Sequence, residues 1–425
     1  DPAVRTPAQR IVVERSGRRR LDADVLPTLR RQRVHRVGVE IGVGRVKPGL
    51  LGGRSAELDR LDVPLDERDA SGAPTGMLID NAMDLVGGRL PPPTREQRKQ
   101  ALLQAARLYA SRGWTGGCNM STSGVEADLF AELAAEGDLP IRADVYLTPE
   151  DAGSVLERGP YQDASGMVRV RGVKLYVDGA LGSRGAALLA PYSDAPSSGL
   201  LVTQDEVLRD FMRRARAANA QVATHAIGDR GNRIALDDYQ ATFADSPAAL
   251  RAARWRIEHA QVISPQDLPR FAQLGVIASM QASHAISDLY FAPARLGPDR
   301  LGGAYAWNSL LRSGAVIASG TDAPVERGDP LIEFYAATYR HDLQGRAGPD
   351  WHLEEAVSRA QALRNITWGS AYSAFAESER GTLEAGKLAD ISVFSADLMQ
   401  APFANIPSAR AVLTMVGGRV VHSAL

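Results

Sequence analysis

Short apolar runs alternate with amphipathic segments through the C-terminal two thirds of the chain. The apolar runs predict seven strands, at 114–120, 141–147, 168–177, 221–227, 255–261, 276–281 and 315–319. Apolar residues at helical spacing predict helices at 94–113, 124–137, 204–219, 229–243, 265–274 and 304–312. Strands that alternate with helices are typical of a parallel sheet. The connection from one parallel strand through a helix to the next is right-handed. One more strand before the first helix would therefore close this α/β pattern into a (β/α)8 TIM barrel.

Both chain ends have the pattern of short strands. Residues 10–26 hold an apolar run, a glycine and a charged run. Residues 387–422 alternate between apolar and polar positions and include a Gly-Gly hairpin turn. We therefore expect residues 1–30 and 380–425 to form a small β-sandwich domain, and residues 31–379 to form the barrel.

The composition narrows the class of protein. Of the 425 residues, 44% are hydrophobic and 23% are charged, which is typical of a folded globular chain and excludes disorder. Lys and Arg number 49 and Asp and Glu number 50, so there is no overall positive field to hold nucleic acid. No apolar run reaches the roughly 18–20 residues of a membrane span. The single cysteine, Cys118, suits a reducing compartment, so we expect a cytoplasmic protein without nucleic-acid or membrane partners.

Four side chains that can bind metal or move protons fall toward the ends of different predicted strands. His225 lies in QVATHAIGD, His259 lies in RIEHAQ, and Asp322 follows the strand in IASGTDAP. Lys174 lies in the apolar run GVKLYVDG, where an unpaired ammonium is costly to bury. The carboxyl ends of barrel strands meet on one face, where barrel enzymes carry out their chemistry. Two imidazoles and a carboxylate brought together there are a suitable ligand set for a divalent metal.

Each of these side chains also has a structural interpretation. A strand-end histidine is often a hydrogen-bonded structural residue, Lys174 can be salt-bridged or extend to solvent, and Asp322 before Ala-Pro can form a turn. The joint pattern favours a site, because four such residues at four strand ends are hard to explain as coincidence. The remaining histidines lack this placement, and we interpret them as surface or structural residues: His35, His341, His352 and His422.

Several motifs, taken in order along the chain, resemble the amidohydrolase superfamily. They are VKLYVDGALGSRGAAL, THAIGDRGN, RIEHAQVISPQDLPRFAQLGVIASMQASH, SGTDAPVE and GTLEAGKLADISVF. More narrowly, these stretches and ASGAPTGMLIDNAMDLV at 70–86 resemble amidohydrolase family 3, the YtcJ-like branch that includes N-substituted formamide deformylase. The resemblance covers roughly residues 70–425, and it indicates the branch more strongly than the substrate.

The resemblance implies a binuclear metal centre. The family's strand-four lysine is carboxylated and bridges two metal ions, and Lys174 matches it. The strand-five and strand-six histidines, matched by His225 and His259, hold the more exposed ion. The strand-eight aspartate, matched by Asp322, binds the more buried ion and moves a proton from the attacking water to the leaving group. The implied cofactors are divalent ions, expected to be zinc, which supply hydroxide at neutral pH, together with the carboxylated lysine.

Three further residues are expected near the substrate. His284 lies in MQASH, at the position of the family's MQPxH motif, and is expected to orient the substrate or its oxyanion. Asp178 and Arg184 follow the lysine strand, and they either line the pocket or fix the loop by hydrogen bonds. We expect a small-molecule substrate and, by analogy with other barrel enzymes of this kind, a homodimer.

The chain departs from the family at the first barrel strand. In the family that strand carries His-x-His and supplies two ligands to the buried ion, but this sequence contains no His-x-His. We hypothesise that one or more segments before residue 70 are absent from the sequence. The rival hypothesis is a genuine deletion, which would leave the buried ion with only Lys174 and Asp322, because His35 cannot replace two ligands.

Three functions are compatible with these residues. The first is metal-dependent hydrolysis of a carbon–nitrogen bond in an amide, N-formyl or N-acyl compound. The second, within the same superfamily, is deamination of a heterocycle or hydrolysis of a cyclic amide or ester. The third applies if the His-x-His strand has been lost, and it is a catalytically inactive barrel that acts as a binding protein.

Overall fold

A computed structural model describes residues 44–45, 66–68, 74–78, 91–348 and 351–425. The chain divides into two compact units, Asp1–Thr94 and Arg95–Leu425. The first unit contains strands β1 (Gly44–Arg45), β2 (Asp66–Arg68) and β3 (Pro74–Leu78), which form an antiparallel sheet in the order β1-β3-β2. The predicted strand pattern at 10–26, the N-terminal part of the predicted sandwich and His35 lie outside the described residues.

The second unit is built on a parallel sheet. Its strands, in chain order, are β4 (Gly116–Thr122), β5 (Arg142–Leu147), β6 (Tyr161–Gln162), β7 (Val168–Tyr176), β8 (Gln221–Ala226), β9 (Arg256–His259), β10 (Ile277–Met280) and β11 (Ile317–Ser319). Strand β6 pairs with β7 in the antiparallel direction, and the other seven strands pair in parallel in the order of the chain. The seven predicted strands are therefore confirmed, with ends within two residues of the prediction.

Burial explains why these strands were legible in the sequence. Every residue of β5, β8, β9 and β10 is buried. A parallel strand that is covered on both faces favours apolar residues, because neither face meets solvent. Strand β9 is an exception, since its buried Arg256 and Glu258 side chains pair with each other.

Helices surround the parallel sheet and connect its strands. They are α1 (Arg95–Ser111), α2 (Gly124–Ala135), α3 (Gly153–Arg158), α4 (Asp205–Ala217), α5 (Asp229–Thr242), α6 (Pro247–Ala253), α7 (Leu268–Leu274), α8 (Ala282–Asp288), α9 (Ala292–Leu296), α10 (Pro298–Leu301), α11 (Trp307–Ser313), α12 (Pro330–Tyr339), α13 (Arg359–Arg364) and α14 (Ser370–Ser373). The six predicted helices are present, with ends within three residues of the prediction. Among the described residues, none of these helices has the length and apolar character of a membrane-crossing segment.

The C-terminal residues form a small antiparallel sheet within the same compact unit. Its strands are β12 (Ile391–Phe394), β13 (Ala411–Val416) and β14 (Arg419–Ser423). Gly417 and Gly418 join β13 to β14 with φ values of 57° and 81°, so the predicted hairpin turn is confirmed. Whether this sheet is one layer of a β-sandwich that includes the N-terminal residues stays a prediction.

Candidate active site

The carboxyl ends of β7, β8 and β9 bring three of the predicted side chains to one edge of the parallel sheet. Lys174 lies two residues before the end of β7, His225 lies one residue before the end of β8, and His259 ends β9. The parallel register places Ala226 opposite His259, so the two histidines lie on adjacent strands. Their ring centroids are 4.6 Å apart and meet edge to face. The sequence-based expectation of neighbouring imidazoles therefore agrees with the geometry.

Helix α8 and the segment after β11 extend this group. Helix α8 begins two residues after β10, and its third residue is His284. The ring of His284 stacks on that of His259 with a centroid distance of 5.7 Å. His284 Nε2 lies 3.7 Å from Oδ2 of Asp322, which follows β11. His225, His259, His284 and Asp322 thus form a continuous series along the sheet edge, which we call the strand-end row.

The strand-end row contains buried polar atoms without hydrogen-bond partners among the described residues. These atoms are Nδ1 and Nε2 of His225, Nε2 of His284 and Oδ2 of Asp322. His225 is 3% exposed and His284 is 4% exposed, so water cannot readily take the place of a partner. Native proteins rarely leave buried polar atoms unpaired, because the lost hydration is costly. The unpaired atoms make this edge a candidate ligand site.

The histidines of the row are held in the neutral state. Burial lowers the pKa of His225 well below its ordinary value, and the nearby Lys174 ammonium lowers it further. Burial also lowers the pKa of His259 well below its ordinary value, with His225 and Lys174 adding to the effect. Burial lowers the pKa of His284 to about 4. At neutral pH these rings therefore carry lone pairs, which metal binding requires.

Asp322 has the opposite shift. Burial raises the pKa of Asp322 to about 8, although the Lys174 ammonium opposes the rise. Its side chain keeps 19% of its surface exposed, although its Oδ2 atom is buried. A carboxyl group that exchanges its proton near neutral pH is suited to general acid–base catalysis.

Tyr176 is a member of the site that the sequence reasoning missed. Its ring lies 5.3 Å from the ring of His225, and the Lys174 Nζ lies 4.2 Å from the centroid of the Tyr176 ring. The hydroxyl of Tyr176 shares a 2.5 Å hydrogen bond with the hydroxyl of Ser121 on β4. Residues two apart on a strand share a face, so the position of Tyr176 two residues after Lys174 was an available signal.

Gln281 is a second residue that the sequence reasoning missed. It directly follows β10, and its Oε1 lies 2.9 Å from His259 Nδ1. An amide oxygen can only accept, so this contact places the proton on Nδ1 and leaves the lone pair on Nε2. Gln281 therefore orients the His259 ring in the way that partners of metal-binding histidines commonly do.

Asp178 and Arg184 make contacts that fix the loop after β7. The Asp178 carboxylate accepts hydrogen bonds from the backbone N–H groups of Ile227, Gly228 and Ala187 at 2.9, 2.8 and 2.8 Å. Burial raises the pKa of Asp178 to about 7, although these three N–H groups oppose the rise. Arg184 binds the Asp194 carboxylate through two hydrogen bonds of 3.1 and 2.9 Å.

Asp178 and Arg184 make different contacts near the strand-end row. Asp178 Oδ1 lies 3.6 Å from His225 Nε2, so Asp178 adjoins the row. Arg184 bonds the carboxylate of Asp194 in the loop after β7. A contact of either residue with substrate stays a prediction.

The backbone at the site is strained at three positions. His259, Ala260 and Asp322 have φ values of 75°, 43° and 51°, in the left-handed region that non-glycine residues rarely adopt. Each such residue costs on the order of 1–3 kcal/mol, and residues of this kind cluster at functional sites.

The histidines and the aspartate of the row do not by themselves form a set of metal ligands. In the part of the chain that the structure describes, no group of three or more His, Cys, Asp or Glu side chains is arranged to hold a metal ion. Lysine is not one of these residue types, and the charge of Lys174 acts on both His225 and His259. A carboxylated Lys174 beside the two imidazoles would supply the missing oxygen ligand.

The chain matches the model of the amidohydrolase family over residues 61–422. It is 33% identical over 369 residues to YtcJ of Bacillus subtilis, which is named as an amidohydrolase, and the match covers 84% of this chain and 67% of that protein. It is 25% identical over 366 residues to N-substituted formamide deformylase of Arthrobacter pascens, and the match covers 83% of this chain and 66% of that enzyme. The chain thus spans about two thirds of the length of these relatives.

A solved structure agrees with these sequence matches. The crystal structure of an uncharacterized metal-dependent hydrolase from Pyrococcus horikoshii OT3 has a TM-score of 0.70 and 29% sequence identity to this chain. The match covers 85% of this chain and 71% of the other.

Proposed function

Because the chain belongs to amidohydrolase family 3, we propose that it is a metal-dependent hydrolase that cleaves the carbon–nitrogen bond of a small amide, N-formyl or N-acyl compound. The observation that carries the proposal is the strand-end row, whose buried polar atoms lack partners among the described residues. The proposal includes a closed (β/α)8 barrel, of which the seven parallel strands are a part.

His225, His259 and a carboxylated Lys174 would hold one divalent ion. Imidazole nitrogen and carboxylate-type oxygen suit zinc, and carboxylation removes the cost of a buried ammonium. When bound, such an ion polarises a carbonyl group and lowers the pKa of water toward about 7. The second ion implied by the resemblance would need ligands besides Lys174 and Asp322, since the sequence contains no His-x-His.

Asp322 and His284 would carry out the proton transfers and hold the developing charge. The Asp322 carboxyl accepts the proton of the attacking water and then donates it to the leaving nitrogen, because a pKa near neutrality makes both of its protonation states accessible. His284 Nε2, which is 3.7 Å from Asp322 Oδ2, donates a hydrogen bond to the substrate oxygen as it becomes negative. This role requires the neutral ring with its proton on Nε2, in keeping with the lowered pKa of His284.

A binding protein without catalytic activity is the second candidate, and the missing His-x-His favours it. A barrel that lacks both of these ligands has only part of the metal centre of its family. Such a protein would still bind small molecules at the same sheet edge, where ligand sites of parallel barrels lie.

Metal content and turnover distinguish the two candidates. The purified chain is incubated with Zn²⁺ or Mn²⁺, and bound metal is counted by inductively coupled plasma mass spectrometry. Release of a chromogenic aniline from N-formyl and N-acyl anilides is then measured. We expect about one ion per chain and measurable turnover. Asp322→Asn should keep the ion and lose about 100-fold or more in kcat.

The matched control is Asp245→Asn, which changes an exposed carboxylate paired with Arg216. This variant should keep both the metal and the turnover. A chain that binds no metal after reconstitution, and that hydrolyses none of the anilides, would support the binding protein instead.

A further inference from the structure

The turn that carries His259 is followed by a buried side chain with a dense set of contacts. Gln261 Nε2 donates to Asp288 Oδ2 at 2.6 Å and to the Tyr305 hydroxyl at 2.7 Å. The Tyr305 hydroxyl in turn donates to the same Asp288 oxygen at 2.6 Å. Gln261 is 4% exposed and Tyr305 is 1% exposed. We call this closed set of three hydrogen bonds the Asp288 network.

Hydrogen bonds also fix the main chain around the Asp288 network. The Tyr305 N–H donates to the Gln261 carbonyl at 2.7 Å, and Val262 forms an antiparallel bridge with Ala304. The guanidinium of buried Arg340 donates to the Tyr305 carbonyl at 2.8 Å. Tyr305 itself has a left-handed φ of 52°. The segment that presents the Tyr305 hydroxyl is therefore fixed from two sides.

The network joins two members of the strand-end row. Gln261 lies two residues after His259, across the strained positions 259 and 260. Asp288 is the last residue of α8, four residues after His284 and so about one helical turn from it. One carboxylate oxygen thus connects the turn of His259 to the helix of His284, whose rings stack. A strained turn persists only where its surroundings fix it, and the network supplies that constraint.

We propose that Gln261, Asp288 and Tyr305 are positioning residues, which hold the strained turn of His259 in register with helix α8 and so aim the His259 ring at the bound ion. This inference rests on the proposed function, because it takes His259 as a metal ligand. Gln281 sets which ring nitrogen carries the lone pair, and the Asp288 network sets where that lone pair points. Removing the network should therefore weaken metal binding without removing any ligand.

Tyr305→Phe tests the proposal with the smallest change. It deletes one hydroxyl and leaves the ring in place. The dissociation constant for Zn²⁺ is measured by competition with a chromophoric chelator at fixed pH, and we expect it to rise about tenfold or more. Tyr146→Phe is the matched control, because it deletes a buried hydroxyl that bonds Gln221 at 2.5 Å near the start of β8. Its zinc affinity should stay within about twofold of the parent.

Asp288 provides a second pair of variants. Asp288→Asn keeps an oxygen that can accept both hydrogen bonds, so its zinc affinity should stay within about threefold of the parent. Asp288→Leu keeps the branching at Cγ but has no acceptor, and its affinity should fall about tenfold or more. Zinc affinity is compared only for variants whose circular dichroism matches the parent, so that rescue by Asn identifies the hydrogen bonds as the cause. If Asp288→Leu does not fold, Tyr305→Phe decides the question.

His259→Ala separates the two ways in which the inference can fail. If His259→Ala loses zinc but Tyr305→Phe binds zinc like the parent, the positioning role is wrong and the proposed function stands. If His259→Ala keeps the parental zinc affinity, His259 is not a metal ligand. The proposed function in its present form then fails, and the positioning role fails with it.

Discussion

At the scale of single residues, Lys174 sets the electrostatics of the site. Its ammonium helps to lower the pKa values of His225 and His259 and opposes the rise in the pKa of Asp322, so its charge acts on all three side chains. A positive charge at this position would repel a divalent cation from the two imidazoles. A carbamate on the same nitrogen would attract the cation and supply an oxygen ligand. Under the proposed function, the row therefore holds metal only when Lys174 is carboxylated.

Lys174→Ala should abolish metal binding. The variant loses the oxygen ligand, and two imidazoles alone hold a divalent ion weakly. Metal per chain is measured by inductively coupled plasma mass spectrometry after equilibration with Zn²⁺. Lys387→Ala is the control, because Lys387 is another largely buried lysine, bonded to the Glu377 carbonyl at 2.8 Å in the C-terminal region. A Lys174→Ala protein with parental metal content would disprove the ligand role of this lysine.

The sequence predicts the members of the row better than their supports. His225, His259 and Asp322 could be found because each follows or ends a legible apolar run. The contacts that Asp288 and Tyr305 make with Gln261 could not be found in that way. Asp288 and Tyr305 meet Gln261 across 27 and 44 residues of chain, through short helices and loops. A hydrogen bond between such segments depends on where the tertiary fold places them, which no local pattern encodes.

At the scale of elements, the contact between α4 and α5 contains a buried carboxylate. Asp238 on α5 is fully buried, and its Oδ1 accepts a 2.8 Å hydrogen bond from Arg209 on α4. Its Oδ2 has no partner among the described residues, and Arg209 also pairs with Asp205. Burial raises the pKa of Asp238 to about 6, and Asp205 adds to the rise while Arg209 opposes it.

This shift makes the folded state favour protonated Asp238. An unfolded aspartate has a pKa of about 3.9, so the folded state binds the proton more tightly. The stability that comes from the protonated form is present at low pH and is lost as pH rises from about 4 to about 6. Asp238→Asn should flatten the pH dependence of the free energy of unfolding in that range. Urea unfolding at several pH values between 4.5 and 7.5 measures the slope.

Asp210→Asn is the control for this prediction, since Asp210 is half exposed in the same helix pair and bonds Arg213 at 3.3 Å. It should leave the slope of the parent unchanged. Parallel pH profiles for Asp238→Asn and the parent would show that burial between α4 and α5 does not raise the pKa of Asp238.

Helix α12 illustrates which elements a periodic pattern misses. Its residues Pro330–Ala336 are buried without interruption, so the helix has no polar face to alternate with an apolar one. The sequence PLIEFYAATY therefore does not show the spacing that predicts a surface helix. Helices α8, α9 and α10 have seven, five and four residues, which is too short for a periodic pattern to emerge.

At the scale of the whole molecule, the second unit joins two sheets through buried polar contacts. Arg142, at the start of β5, donates to both oxygens of Asp390 just before β12, at 2.7 and 3.1 Å. The two side chains are 7% and 3% exposed. Asp390 also accepts a 2.7 Å hydrogen bond from the Gly417 N–H in the hairpin turn. One carboxylate thus fixes the C-terminal sheet against the parallel sheet and closes its hairpin.

Asp390→Ala should therefore destabilise the whole second unit. It removes the carboxylate partner of the buried Arg142 guanidinium, which costs about 3–5 kcal/mol of the free energy of unfolding. Glu384→Ala removes an exposed partner of Lys387 and should change the free energy of unfolding by less than about 0.5 kcal/mol.

The five tryptophans all precede the C-terminal sheet, so their fluorescence reports on the parallel-sheet region while far-UV circular dichroism reports on both sheets. We expect the two signals of Asp390→Ala to shift together to lower urea. A separate early transition in circular dichroism alone would show that the C-terminal sheet unfolds independently, and the single carboxylate would then not couple the two sheets.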